Sequence, residues 1–136
     1  MSPSLPHCKK IVADALARWT KLLAHMADSG VRDVVYFFYP HIVPGTLLGG
    51  DNPNAISDYT MPMYKATCAS TEKTTGGKLR CHFVDMVPVF EGHDDWFVPG
   101  DVHPTPTGSA AMAKAIWNVM KDDCVGQTSA ATCCAP

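Results

Sequence analysis

The side chains best suited to chemistry gather in one stretch. Glu91, His93, Asp94 and Asp95 precede the run Pro99-Gly-Asp-Val-His-Pro-Thr-Pro-Thr-Gly-Ser109, and Asp101 and His103 lie within it. Pro104 and Pro106 fix the backbone next to His103, because a pyrrolidine ring locks φ. A general base needs a rigid loop that holds an imidazole beside a carboxylate, so that the ring is aimed before substrate arrives. His103 is therefore the first candidate for proton transfer, and Asp101, two residues earlier, is its nearest carboxylate. The same six groups have the oxygen and nitrogen donors of a divalent-cation site. Their spacing matches no standard metal motif, and no metal or cofactor is expected. His7, His25, His41 and His82 are read as structural or surface residues. Trp19 and Trp117 are read as core, and Trp96 as an exposed ring able to line a substrate cleft.

Positioning such a loop requires elements on both sides of it. Ile11, Val12, Ala15, Leu16, Trp19, Leu22, Leu23 and Met26 recur at helical spacing and predict an amphipathic helix. Gly30 follows as its C′ residue. Val34–Tyr39 is β-branched and aromatic, apolar on both faces and stopped by Pro40, as in a buried strand of a parallel sheet. A Gly- and Pro-rich loop spans Pro40–Pro53. A second helix is predicted from Ile56 to about Ser70, with Pro62 limiting its start. His82–Met86 reads as a second buried strand, Pro88–Thr107 as a polar loop, and Gly108 to about Lys121 as the last helix. The order α-β-α-β-loop-α implies an α/β fold with a parallel sheet. Two strands are few for a sheet covered on both faces, so the chain is expected to be the second half of a larger unit.

The composition excludes several functions. The chain has 136 residues, 46% of them hydrophobic and 18% charged, with a formal net charge of −2. That length suits one domain with a real core, and that balance is not the composition of a disordered chain. Without a basic excess, nothing draws the chain to a phosphate backbone, so no nucleic-acid partner is expected. Its longest apolar run, Val34–Tyr39, is far short of the roughly 20 residues of a membrane helix. The opening residues lack the apolar stretch of a signal peptide, yet six cysteines, Cys8, Cys68, Cys81, Cys124, Cys133 and Cys134, suit an oxidising compartment. Both features are met if a preceding part carries the export signal. Cys68 and Cys81 flank a polar stretch containing Gly76-Gly77, and a bridge between them is expected. Cys8 can pair with Cys124 or with a partner elsewhere.

The Pro99–Ser109 segment resembles the closing block of the SGNH hydrolases, the GDSL-type esterases and lipases, in which Asp-x-x-His-Pro leads into the last helix. Met26-Ala-Asp-Ser-Gly-Val-Arg-Asp-Val-Val-Tyr-Phe-Phe-Tyr-Pro40 is similar to that family's helix, turn and core strand, and Cys81–Met86 to its next strand. The similarity runs from about Cys8 to Cys124 and matches only the later part of the family's domain. It implies a partial three-layer α/β/α sandwich over residues 1–124, followed by a flexible tail, 125–136. It implies hydrolysis of carboxylic esters, on lipids or acylated carbohydrates, by a serine nucleophile without a cofactor. His103 would be the base. The family's acid stands three residues before the histidine, where this chain has Gly100. Asp101, Asp94, Asp95 or a backbone carbonyl are the candidates for holding the ring.

The family's nucleophile block, Gly-Asp-Ser, and its Gly-x-Asn-Asp block precede the part matched here. Asp28-Ser29-Gly30 ends a helix and precedes a strand, and is read as capping. Gly49-Gly50-Asp51-Asn52 has the order of its Asn and Asp reversed and is read as a turn. The chain is thus expected to be a secreted or extracytoplasmic esterase fragment lacking the nucleophile. The alternative is a non-catalytic remnant that pairs with a complementary chain, or with itself, through an uncovered sheet edge.

Overall fold

A computed structural model describes residues 6–43 and 54–127. The chain is mixed α/β, with the order α1 (Pro6–Asp28), β1 (Asp33–Phe38), α2 (Ala55–Thr74), β2 (Arg80–Asp85), a short α3 (Val87–Phe90), a 3₁₀ turn (Asp94–Trp96) and α4 (Pro106–Asp122). β1 and β2 pair in parallel from Asp33↔Arg80 to Phe38↔Asp85 and form a two-stranded sheet.

The alternation of side chains along a strand assigns each face its helices. Tyr36 meets Trp19 of α1 at 4.6 Å and Tyr64 of α2 at 5.6 Å between ring centroids, and Phe83 lies beside Tyr36 at 5.9 Å. Cys81, on that same face, is bonded to Cys68 of α2 as expected. Closing this loop lowers the entropy of the unfolded chain by about 3 kcal/mol. The opposite face carries Asp33, His82 and Val84, and His82 reaches Asp123 at the end of α4. A core of Leu23, Ala27 and Leu79, with Trp19, Met26, Val31 and Val34 packed on it, ties α1 to the start of both strands.

Local chemistry explains most element boundaries. Gly30, at φ +87°, ends α1: its N–H donates to Ala27 O and the Val31 N–H to Met26 O. Pro40 is buried where β1 stops. Thr105 caps α4 by accepting from the Gly108 N–H, with Pro106 at the first helical position.

Several expectations are corrected. Pro62 lies inside α2, which runs from Ala55 to Thr74 rather than from Ile56 to Ser70; packing on the sheet and the Cys68 bridge outweigh the hydrogen bond that Pro62 forgoes. The region Pro88–Thr107 contains α3 and the 3₁₀ turn, and α4 begins at Pro106 instead of Gly108. Trp117 is 59% exposed and not core, since α4 packs on the sheet through its other side. Cys8 is a free, buried thiol, which removes the Cys8–Cys124 pairing; Cys124 is nevertheless disulfide-bonded. Residues 125–127 form a turn after α4, with the Gly126 N–H donating to Asp33; the rest of the expected tail lies outside the described residues.

Candidate active site at the carboxyl end of the sheet

The residues between β2 and α4 form a compact knot rather than an open loop. Asp85 Oδ1 accepts from the Val87 N–H and starts α3. Phe90 and Phe97 are buried, with ring centroids 5.1 Å apart, and Trp96 meets Phe90 edge-on at 5.4 Å. Phe97 pairs with Pro104 in an antiparallel bridge, and the Val98 N–H donates to His103 O at 2.9 Å. The turn between them is closed by the Asp101 N–H donating to Val98 O at 2.9 Å. Tyr39, just past β1, donates its hydroxyl to Val102 O at 2.5 Å. This bond fastens the turn to the carboxyl end of the strands, where α/β sheets place ligands.

His103 and Asp101 stand together on this turn. His103 Nδ1 lies 2.8 Å from Asp101 Oδ1, and the same oxygen accepts from the Val102 N–H at 2.6 Å. The hydrogen bond from His103, then that from Val102, holds the Asp101 carboxyl below the usual value of 3.8 against a small opposing effect of burial. The His103 side chain is 75% exposed. A carboxylate only accepts, so the hydrogen of this bond is carried by Nδ1, and whenever the ring is neutral Nε2 is the acceptor. That is the atom a general base uses on an attacking hydroxyl.

The carboxylate stands two residues before the histidine for a backbone reason. Pro99 and Gly100 occupy the centre of the turn, and Gly100 has φ +76°. Proline first and a positive φ second is the pattern of a type II turn. An aspartate at position 100 would be strained there, so the carboxylate falls on Asp101.

The remaining acidic residues are not drawn to His103. Asp95 lies 4.0 Å from His93, whose ring stacks on Trp96 at 3.8 Å and 8°. Glu91 and Asp94 line a cavity whose lining does not include His103. Among the described residues no group of three or more His, Cys, Asp or Glu side chains is gathered to hold a metal ion. Ser29 lies at the opposite end of the sheet, in the turn that ends α1. Gly49–Asn52 lies outside the described residues.

A second His–Asp pair was not legible from spacing. His41 Nε2 lies 2.7 Å from Asp58 Oδ1. The available signal was topological: α2 starts where β1 ends, so a histidine after the strand meets the first turn of the helix. Asn54 joins the same corner by exchanging two hydrogen bonds with the backbone of Ile42.

His82 is buried and structural. Its ring lies between Asp33 (3.0 Å) and Asp123 (2.8 Å), and Arg80 also reaches Asp33 at 2.8 Å. Burial raises the Asp33 carboxyl, but bonds from His82 and Gly126 and the nearby Arg80 charge outweigh it, leaving Asp33 below 3.8. A carboxylate depressed in the folded state contributes stability above its unfolded value, and that stability is lost as pH falls through the folded value. Asp33→Ala is expected to destabilise the chain by about 2 kcal/mol at neutral pH. The deficit should shrink on acidification below the ordinary aspartate range, as read from urea midpoints against pH.

Fold and site together define a mixed α/β protein with an exposed imidazole–carboxylate pair at the carboxyl end of a parallel sheet. No family model matches the chain, and no curated protein or solved structure matches it.

Proposed function

We propose that this chain carries the base–acid part of a serine ester hydrolase of the SGNH type. The observation that supports this is the His103–Asp101 pair: Nδ1 is engaged by the carboxylate at 2.8 Å, with the imidazole exposed at the carboxyl end of the strands. In the reaction, Nε2 takes the proton of the attacking hydroxyl and later returns it to the departing alcohol. Asp101 is a positioning residue: it selects the tautomer and stabilises the imidazolium as it forms.

On this reading the mixed α/β fold is a partial three-layer sandwich. His103 is bonded to Asp101, and on this reading the attacking group and the oxyanion donors belong to a segment outside the described residues. The outer edge of β1 suits the docking of such a segment, because among the described residues β1 is paired on one side only, with β2. An ester of a lipid or carbohydrate is the substrate on this reading, and a complementary or second chain is the partner at this edge. The Cys68–Cys81 bridge suits a secreted or extracytoplasmic setting. No helix among the described residues is long and apolar enough to cross a membrane.

The test is p-nitrophenyl ester hydrolysis by the protein, compared with its His103→Ala variant. Turnover that depends on His103 supports the assignment. Equal turnover by both proteins removes His103 from the chemistry and returns the chain to a binding role at the β1 edge.

A further inference from the structure

The His103 and Asp101 side chains are 75% and 39% exposed, so packing around them does little to aim the imidazole. The bonds within the turn, from the Val98 N–H to His103 O and from the Asp101 N–H to Val98 O, give it its shape but do not tie it to the sheet. A base displaced by about 1 Å can lose about a hundredfold in rate. Something must therefore hold the turn against the rigid part of the fold.

Val102 is held at both of its polar groups. Its N–H donates to Asp101 Oδ1, the oxygen that also engages His103 Nδ1. Its carbonyl accepts from the Tyr39 hydroxyl at 2.5 Å. Tyr39 directly follows β1, whose last residue, Phe38, pairs with Asp85 and accepts from the Met86 N–H. The ring thus springs from a strand end that is itself fixed. Burial, and then the negative charge of Asp101, push the Tyr39 hydroxyl above its ordinary range. It keeps its proton at neutral pH and remains a donor.

We propose that Tyr39 is a positioning residue: its hydroxyl holds the Val102 carbonyl and, through Val102, keeps His103 and Asp101 aligned. The consequence for turnover rests on the ester-hydrolase reading; the alignment itself does not.

The test compares the parent protein with Tyr39→Phe, which keeps the ring and removes the donor, and with para-aminophenylalanine at position 39, which restores an N–H donor. Near-ultraviolet circular dichroism checks that each is folded. In Tyr39→Phe, kcat for p-nitrophenyl ester hydrolysis is expected to fall about tenfold with KM within about twofold. The ¹⁵N shifts of neutral His103 should change from hydrogen on Nδ1 alone to a mixture of both tautomers. The amino variant should restore both readouts. A parent-like tautomer in folded Tyr39→Phe overturns the proposal, as does a defect equally large in the amino variant. A fall in urea midpoint with kcat and tautomer unchanged also overturns it, because Tyr39 would then serve stability alone. Parent turnover that is indifferent to His103→Ala defeats the hydrolase reading instead, and the tautomer comparison still decides the role of Tyr39.

Discussion

His103→Ala is expected to lower kcat for p-nitrophenyl ester hydrolysis at least about a thousandfold while KM stays within about twofold. The asymmetry follows from what the imidazole does. It contributes to the transition state, when the hydroxyl proton is in flight, and little to ground-state binding. Its side chain is 75% exposed and its ring bonds to Asp101, so its removal leaves no cavity, and the fold should survive. Asp101→Asn should have a smaller effect than His103→Ala, because an amide oxygen still accepts from Nδ1–H in one of its orientations. Steady-state kinetics on the three proteins separate the roles. A large rise in KM at constant kcat would mean that His103 binds substrate and does not move a proton.

The second large effect is on the fold that holds the pair. Gly108→Ala is expected to destabilise the chain by about 2 kcal/mol, although alanine favours a helix. A Cβ at position 108 would stand 2.5 Å from the Trp96 carbonyl oxygen and 3.1 Å from Cβ of both Pro104 and Trp96. Backbone on both sides of this contact cannot step aside. The Trp96 oxygen also accepts from the Thr105 N–H at 2.7 Å and from its hydroxyl at 3.1 Å. Pushing α4 outward would therefore break its N-cap and disturb the His103 turn. Urea midpoints and ester turnover should both fall. A variant as stable as the parent would show that α4 does not pack against Trp96 as closely as described.

Much of this architecture was legible because helical and strand periodicities are local. The stripe from Val12 to Met26, the β-branched run at Val34 and the Gly30 stop each rest on neighbours in sequence. Cys68–Cys81 was legible from the loop it closes. What escaped were features made by contacts distant in sequence. Trp117 reads as core by its helical spacing, but α4 has only a narrow sheet to cover. Pro62 reads as a limit on where the helix can start, but tertiary packing carries the helix through it. His41–Asp58 depends on how β1 hands over to α2. The identity of the His103 partner lay between reach and register: only the Val98–Asp101 turn, with its left-handed Gly100, shows that the carboxylate is delivered from position 101. Glu91 and Asp94 sit near His103 in sequence, yet they line a cavity whose lining does not include His103.

The most direct test of the central claim is the tautomer of neutral His103, read from the ¹⁵N chemical shifts of its two ring nitrogens. A base held by Asp101 for proton abstraction must carry hydrogen on Nδ1 and present an unprotonated Nε2. That pattern is expected in the wild-type protein and should be lost in Asp101→Ala. Hydrogen on Nε2 with Nδ1 bare, unchanged by Asp101→Ala, would contradict the account.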